Sequence, residues 1–184
     1  VQIPPWPNYD WPARTIPGPH HVKIHPRQEK LTWQDWQTMV RYYYAFATLI
    51  DSQVGRMMRY LEQTGLLDNT VVIFASDHGE TLGSHGGLVD KGWHHFEETH
   101  RIPFIIRLPE QAHRGQMVSE LVSLADIYPT LLDSAGITWD SDSIHGASLL
   151  PLISGNSRGW RDMVVTEFGG VNDMATTQRT LRWG

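Results

Sequence analysis

Asp77 and His78 stand side by side directly after the apolar run Val71-Val72-Ile73-Phe74-Ala75, and Gly79 follows them. A carboxylate and a neutral imidazole are both donors to divalent cations, so the pair is a candidate cation site. Neighbouring residues point opposite ways on a regular strand. A turn at the strand's end can converge them, and glycine permits that turn. An Asp-His-Gly turn also serves as plain loop, so the pair alone is a weak signal. Lys91 lies thirteen residues after His78 and is one of three lysines in the chain. Brought back beside a cation-bound oxyanion, its ammonium would neutralise charge on a substrate and on a departing oxygen. A solvated loop lysine is the plainer alternative. His85, His94, His95 and His100 crowd the same stretch. With pKa values near neutrality they could act as acid or base, though loop histidines commonly only contact backbone.

The elements that must position these groups read clearly. Val71–Ala75 is continuously apolar, as a strand buried on both faces should be. Phe104-Ile105-Ile106-Arg107-Leu108, framed by Pro103 and Pro109, reads as a second such strand. Between them Gly79, Gly83, Gly86, Gly87 and Gly92 leave the chain free to fold back over the strand end, where open α/β sheets bind ligands. Upstream, Thr32-x-x-Asp35 has the spacing of a capping box. Trp36, Met39, Val40, Tyr43, Phe46, Ala47, Ile50, Val54, Met57, Met58 and Leu61 then recur at three- and four-residue steps. That stripe predicts a helix of roughly 30 residues with a core-facing side, about 45 Å long and therefore open to a bend, stopped by Gly65. Ser123 to Gly136 reads as a short helix with Pro129 in its first turn. Ser148 to Ile153 predicts another helical turn. Met163–Phe168 and Thr180–Trp183 read as strands of a separate, more exposed sheet. Helix, strand, long loop, strand, helix is one flank of a mostly parallel α/β sheet.

Residues 1 to 31 hold seven of the eleven prolines, with Trp6, Tyr9 and Trp11 among them. Such spacing blocks helices and sheet ladders alike and predicts an extended arm held by its aromatics, with a disordered linker as the alternative. The chain has 184 residues, 40% of them hydrophobic, enough for one ordinary core. A net charge of −5, with scattered basic residues, points away from nucleic acid and from anionic membrane surfaces. No run of about 20 apolar residues offers a membrane span. The absence of cysteine removes disulfides and thiolate chemistry from this stretch. No basic-then-apolar leader precedes Val1, and Leu181-Arg182-Trp183-Gly184 stops within what reads as a strand. A portion of a longer protein is therefore expected, and its compartment, cytoplasmic or exported, stays open.

The segment Asp68-Asn69-Thr70-Val71-Val72-Ile73-Phe74-Ala75-Ser76-Asp77-His78-Gly79-Glu80-Thr81-Leu82-Gly83 resembles the metal-binding segment of the sulfatase family, within the alkaline phosphatase superfamily. Asp90-Lys91-Gly92 and then Phe96-Glu97-Glu98-Thr99-His100-Arg101-Ile102-Pro103-Phe104-Ile105-Ile106-Arg107 match the family's next block in order and spacing. Ile50–Arg56, Asp126–Leu132, Ala135–Ile137 and Gly146–Leu152 fit as well. The resemblance covers about residues 40 to 170 and favours the chemical reading of Asp77, His78 and Lys91 over the plainer ones. It implies an alkaline-phosphatase-like α/β fold, with residues 32–155 the second half of the α/β domain and 156–184 the start of a small C-terminal sheet subdomain. It implies hydrolysis of small-molecule sulfate esters, in which a formylglycine hydrate, activated by a divalent cation, attacks sulfur. By the same resemblance Asp77 and His78 are metal ligands, completed by acidic residues from outside this chain. Lys91 is then the catalytic and substrate-binding residue, holding a sulfate oxygen and steadying the leaving group. Arg101 and Glu97 are read as an ion pair internal to the loop.

The departures bear on chemistry. No Cys/Ser-x-Pro-x-Arg motif, the source of formylglycine, occurs in the sequence, so the nucleophile is expected elsewhere. Many family members carry Asn where His78 stands. Calcium is the family's usual cation, but imidazole is an unusual calcium ligand, which brings in manganese or zinc. A phosphonate monoester hydrolase or phosphodiesterase of the same superfamily is one alternative. A non-catalytic remnant that binds metal or a partner is another. Neither the oligomeric state nor the particular ester is legible.

Overall fold

A computed structural model describes residues 31–84, 95–109, 113–169 and 177–184. The proline-rich arm, Lys91, His85 and His94 lie outside the described residues. The chain divides into two units, residues 1–61 with 78–102 and residues 62–77 with 103–184.

Helix α1, Trp33–Gln63, dominates the first unit and is continuous over its 31 residues. Its start is the expected capping box. The Thr32 amide donates to Asp35 Oδ2 at 2.8 Å, and the Asp35 amide donates to Thr32 Oγ1 at 3.3 Å. Its end is the expected glycine stop: Gly65 adopts φ 71°, and its amide donates to the Glu62 carbonyl at 3.1 Å. The apolar stripe departs from expectation. Val40 is the one buried residue of α1, whereas Tyr43, Phe46, Ile50 and Met57 are 46–64% exposed. Periodicity shows which face of a helix is apolar; burying that face takes a partner that the helix itself does not supply. No helix among the described residues is long and apolar enough to cross a membrane.

The second unit contains strands β1 (Val72–Ala75) and β2 (Phe104–Arg107). They pair antiparallel, with Val72 opposite Arg107 and Ala75 opposite Phe104. Among the described residues the strands pair only antiparallel, so the mostly parallel sheet expected from the sequence is not seen there. The connection between them is long enough for a parallel crossover or an antiparallel return, so sequence length did not decide. Nor are these strands buried on both faces: the cross-strand partners Phe74 and Ile105 are 37% and 62% exposed, since a two-stranded ribbon covers neither face. Arg107 ties β2 to the turn before β1. Its Nη1 donates to the Leu67 carbonyl at 2.6 Å, and its Nη2 lies 3.3 Å from Asp68 Oδ1.

The rest of this unit is organised around Asp126. Ser123 caps a 3-10 turn, Leu124–Asp126, that leads into helix Ile127–Ser134, and Gly136 at φ 67° ends it, as expected. Asp126 is fully buried. Its Oδ2 accepts from the Ser123 amide (2.7 Å) and Arg161 Nη1 (2.9 Å), and its Oδ1 from the Ala147 amide (2.9 Å) and Arg161 Nη2 (2.6 Å). Four donors on one carboxylate satisfy a buried charge that would otherwise be costly. Gly146 makes the approach possible, because a Cβ there would lie 2.0 Å from the Ala125 carbonyl oxygen. A helical turn, Leu150–Ile153, follows. Strands β3 (Met163–Phe168) and β4 (Gln178–Trp183) then form a separate antiparallel pair, and burial alternates along β3. This is the exposed second sheet that the sequence predicts.

Candidate functional site

Asp77 and His78 occupy a bend two residues beyond the end of β1. Asp77 closes the second unit's segment and is exposed; His78 opens the first unit's segment and is half-buried. The apolar strand therefore delivers a carboxylate and an imidazole, joined by one peptide bond, at its carboxyl end.

The backbone after His78 is held firmly. Glu97–His100 form a single helical turn, and carbonyls at the end of such a turn have no partner within it. The loop supplies partners: the Gly79 amide donates to the Thr99 carbonyl at 2.9 Å and the Glu80 amide to the Glu98 carbonyl at 3.1 Å. Only glycine tolerates this approach, since a Cβ at position 79 would lie 1.8 Å from the Glu98 oxygen. Beyond it, Leu82 at φ 45° and Gly83 at φ 88° make a tight turn, closed by the Ser84 amide donating to the Thr81 carbonyl at 2.8 Å. Gly79 does not take the left-handed φ of a turn glycine, so its role is close backbone contact, which only the fold discloses, rather than the conformational freedom expected from the sequence.

His78 Nδ1 lies 2.7 Å from the Gly79 carbonyl oxygen. A carbonyl only accepts, so Nδ1 is the donor in this contact. A carboxylate and an imidazole are each donors of the type a divalent cation accepts. Among the described residues no group of three or more potential ligands gathers, so these two do not make a closed site by themselves.

The other histidines divide. His95 and His100 meet edge to face, with ring centroids 4.7 Å apart. Burial holds both below the usual imidazole range, and at His100 the neighbouring His95 lowers it further while Glu97 opposes. They are neutral packing partners. Arg101 Nη1 lies 3.7 Å from Glu97 Oε1, the loop-internal pair expected of them. In the second unit a shallow cavity of about 500 Å³ is lined by Leu108, His113, Asp133 and Asn156 among others and contains no predicted site residue. Sequence reasoning passed over Asp126 and Arg161 as a pair. Ser123-x-x-Asp126 carries the same cap spacing as Thr32-x-x-Asp35, which was the available signal for Asp126; nothing in the sequence linked it to Arg161.

Residues 4–137 match the family model described as Sulfatase. The chain is 39% identical over 134 residues to an N-acetylglucosamine-6-O-sulfatase from Bacteroides thetaiotaomicron, a match covering 71% of this chain and 23% of that protein. It is similar to the structure of BT4656 in complex with its substrate D-glucosamine-2-N,6-O-disulfate, with TM-score 0.74 and 32% identity over 85% of this chain and 33% of that one. It also resembles a phosphonate monoester hydrolase from Silicibacter pomeroyi, with TM-score 0.70 and 30% identity over 76% of this chain and 27% of that one. The chain spans about a quarter of the length of the curated relatives it matches.

Proposed function

The chain belongs to the sulfatase family, and on that premise we propose that it is the cation-binding and leaving-group portion of an enzyme hydrolysing small-molecule sulfate esters. The observation that carries the reading is Asp77-His78 at the carboxyl end of β1, with the following backbone clamped to Glu98 and Thr99. In this reading Asp77 and His78 hold a divalent cation, which when bound lowers the pKa of an attacking hydroxyl and spreads developing charge. Lys91, thirteen residues further along the chain, binds a sulfate oxygen and stabilises the leaving oxygen as the S–O bond breaks. The attacking group comes from outside this chain, as a formylglycine in the family's manner, together with the remaining cation ligands. No nucleic acid or membrane surface takes part.

The finer architecture belongs to the same proposal. β1 and β2 are two members of a larger, mostly parallel, alkaline-phosphatase-like sheet, β2 being an antiparallel one. Residues 32–155 are that domain's second half, and β3 and β4 open a C-terminal subdomain.

The test is hydrolysis by the longer protein. Wild type should cleave an aryl sulfate, and Asp77→Ala or Lys91→Ala should each lower kcat/KM by about two orders of magnitude or more, the scale of losing one oxyanion-stabilising donor. Equal rates in wild type and Lys91→Ala would overturn the reading. His78 and the likeness to a phosphonate monoester hydrolase favour a second reading, cleavage of phosphonate monoesters or phosphodiesters. A higher kcat/KM on a phosphodiester than on the matched sulfate ester would select it.

A further inference from the structure

The cavity of the second unit takes no part in the hydrolysis proposed above. Its volume, about 500 Å³, is in the range of small-molecule sites. Leu108 lines it and directly follows β2, at the end of the ribbon where β1 begins. Asp77 lies beyond the other end. The length of a four-residue ribbon, about 13 Å, therefore stands between the cavity and that carboxylate.

The polar groups around the cavity have definite roles. The Asp133 carboxylate accepts from Trp139 Nε1 at 2.6 Å. Ser148 and Trp139 together hold its pKa below the usual carboxylate range, so it is an anion with lone pairs to spare. Asn156 Oδ1 accepts from the Arg158 amide at 3.2 Å, which leaves the side-chain NH2 as the donor. Ser154 directs its one hydrogen to the carbonyls of Leu150 and Pro151, at 3.0 and 2.9 Å, and keeps its oxygen as an acceptor. His113 stands at φ 58°, a backbone few side chains adopt, and its ring can donate or accept. The Gln116 side chain donates to the Leu152 carbonyl at 3.4 Å and ties the turn after His113 to Leu150–Ile153. Leu108, Pro151 and Ile153 supply the apolar side.

The described lining includes neither lysine nor arginine, so an anion would meet the Asp133 charge with no fixed cation to offset it. Among the described residues no group of three potential metal ligands gathers, so a bare cation lacks a shell. A ring bearing hydroxyls suits both halves: each hydroxyl donates and accepts, and the C–H face is apolar. We propose that this cavity is a second binding site and takes a neutral sugar ring, its hydroxyls on Asp133 and Asn156 and its C–H face on Pro151 and Ile153.

Proton–nitrogen correlation spectra of the ¹⁵N-labelled 184-residue chain, titrated with methyl β-D-glucopyranoside, test this. Saturable shifts are expected at the His113, Asp133 and Asn156 amides and at the Trp139 indole N–H, with a dissociation constant of about 1–10 mM, the range open to a ligand of this size. Asp133→Asn keeps an acceptor for Trp139 and removes the charge; it should weaken binding about tenfold or more, and Asn156→Ala about fivefold. Asn156→Ala, at an exposed position, carries the test alone should Asp133→Asn fail to fold. Glucose 6-sulfate should bind more weakly than the neutral glycoside. No saturable shift at these residues up to about 50 mM, well above that range, overturns the site. So does an affinity that Asn156→Ala leaves unchanged. Equal or tighter binding of glucose 6-sulfate overturns the assignment of a neutral ring.

Discussion

Replacing Asp126 with alanine should destabilise the second unit by about 3–5 kcal/mol, the cost of breaking a buried ion pair by removing one partner. The carboxylate is fully buried and accepts from Ser123, Ala147 and both terminal nitrogens of Arg161. Its removal strands two backbone amides, each costing about 1–3 kcal/mol if it stays buried and unpaired. Arg161 is left as an uncompensated cation, but its side chain is 24% exposed and can reach water, which limits that part of the loss. These costs overlap, because the same rearrangement that wets Arg161 wets the Ala147 amide. The total therefore stays near the pair value rather than the sum. At a urea m-value of about 2 kcal/mol/M the midpoint falls by about 1.5–2.5 M. Tryptophan fluorescence follows the transition: Trp160 donates to the Leu121 carbonyl at 2.9 Å and stacks under the Arg161 guanidinium. Amide exchange at Ser123 and Ala147 gives the local readout. The double variant Asp126→Ala/Arg161→Met should lose less than the two single changes added together, since each exposes the same partner. A midpoint shift below about 0.5 M for Asp126→Ala, with Ala147 still protected, would refute the assignment of this carboxylate as the tie between residues 123, 147 and 161.

Thr32→Ala should raise the Asp35 pKa back toward its usual value, because the Thr32 hydroxyl and amide are what hold it down; carboxyl-detected NMR titration reads it directly. His95 and His100 should titrate below 6.5 in the folded chain, burial being the first cause for each. The unfolded chain then takes up protons first, so stability is full above about pH 6.5 and declines as pH falls through the lowered folded values. Urea midpoints rising as pH falls from 7.5 to 5.5 would contradict this. The isolated 184-residue chain should not turn over an aryl sulfate, having no Cys/Ser-x-Pro-x-Arg motif, and sustained release of the phenol by the pure chain would overturn that expectation.

Local structure was legible wherever one residue's own chemistry decides the backbone. Thr32 and Asp35 start α1, Gly65 stops it, Pro103 and Pro109 frame β2, and each of these is read from a side chain or its absence. Pairing direction was not legible, because the long connection between β1 and β2 costs nearly the same closure entropy for either return. The stripe on α1 was legible as an apolar face, but its exposure was not: exposure is a property of neighbours, and Tyr43 and Phe46 would read identically over any core. Asp126 and Arg161, thirty-five residues apart, leave no periodic or local trace of their meeting.

Asp77 and His78 lie between these cases. Their identities and their place after a strand are by themselves a weak signal, and the contact of His78 Nδ1 with the Gly79 carbonyl oxygen is one that no sequence displays. The sequence does display Gly79, and its necessity comes from close approach rather than from a left-handed turn. A turn would ask only for conformational freedom, which Asn could partly supply. The 1.8 Å approach of the Glu98 oxygen asks for the absence of Cβ, and no other residue supplies that. Because the same approach anchors the peptide group facing His78, packing and the placing of the His78 ring are one constraint. A substitution at position 79 therefore cannot relieve the first without releasing the second.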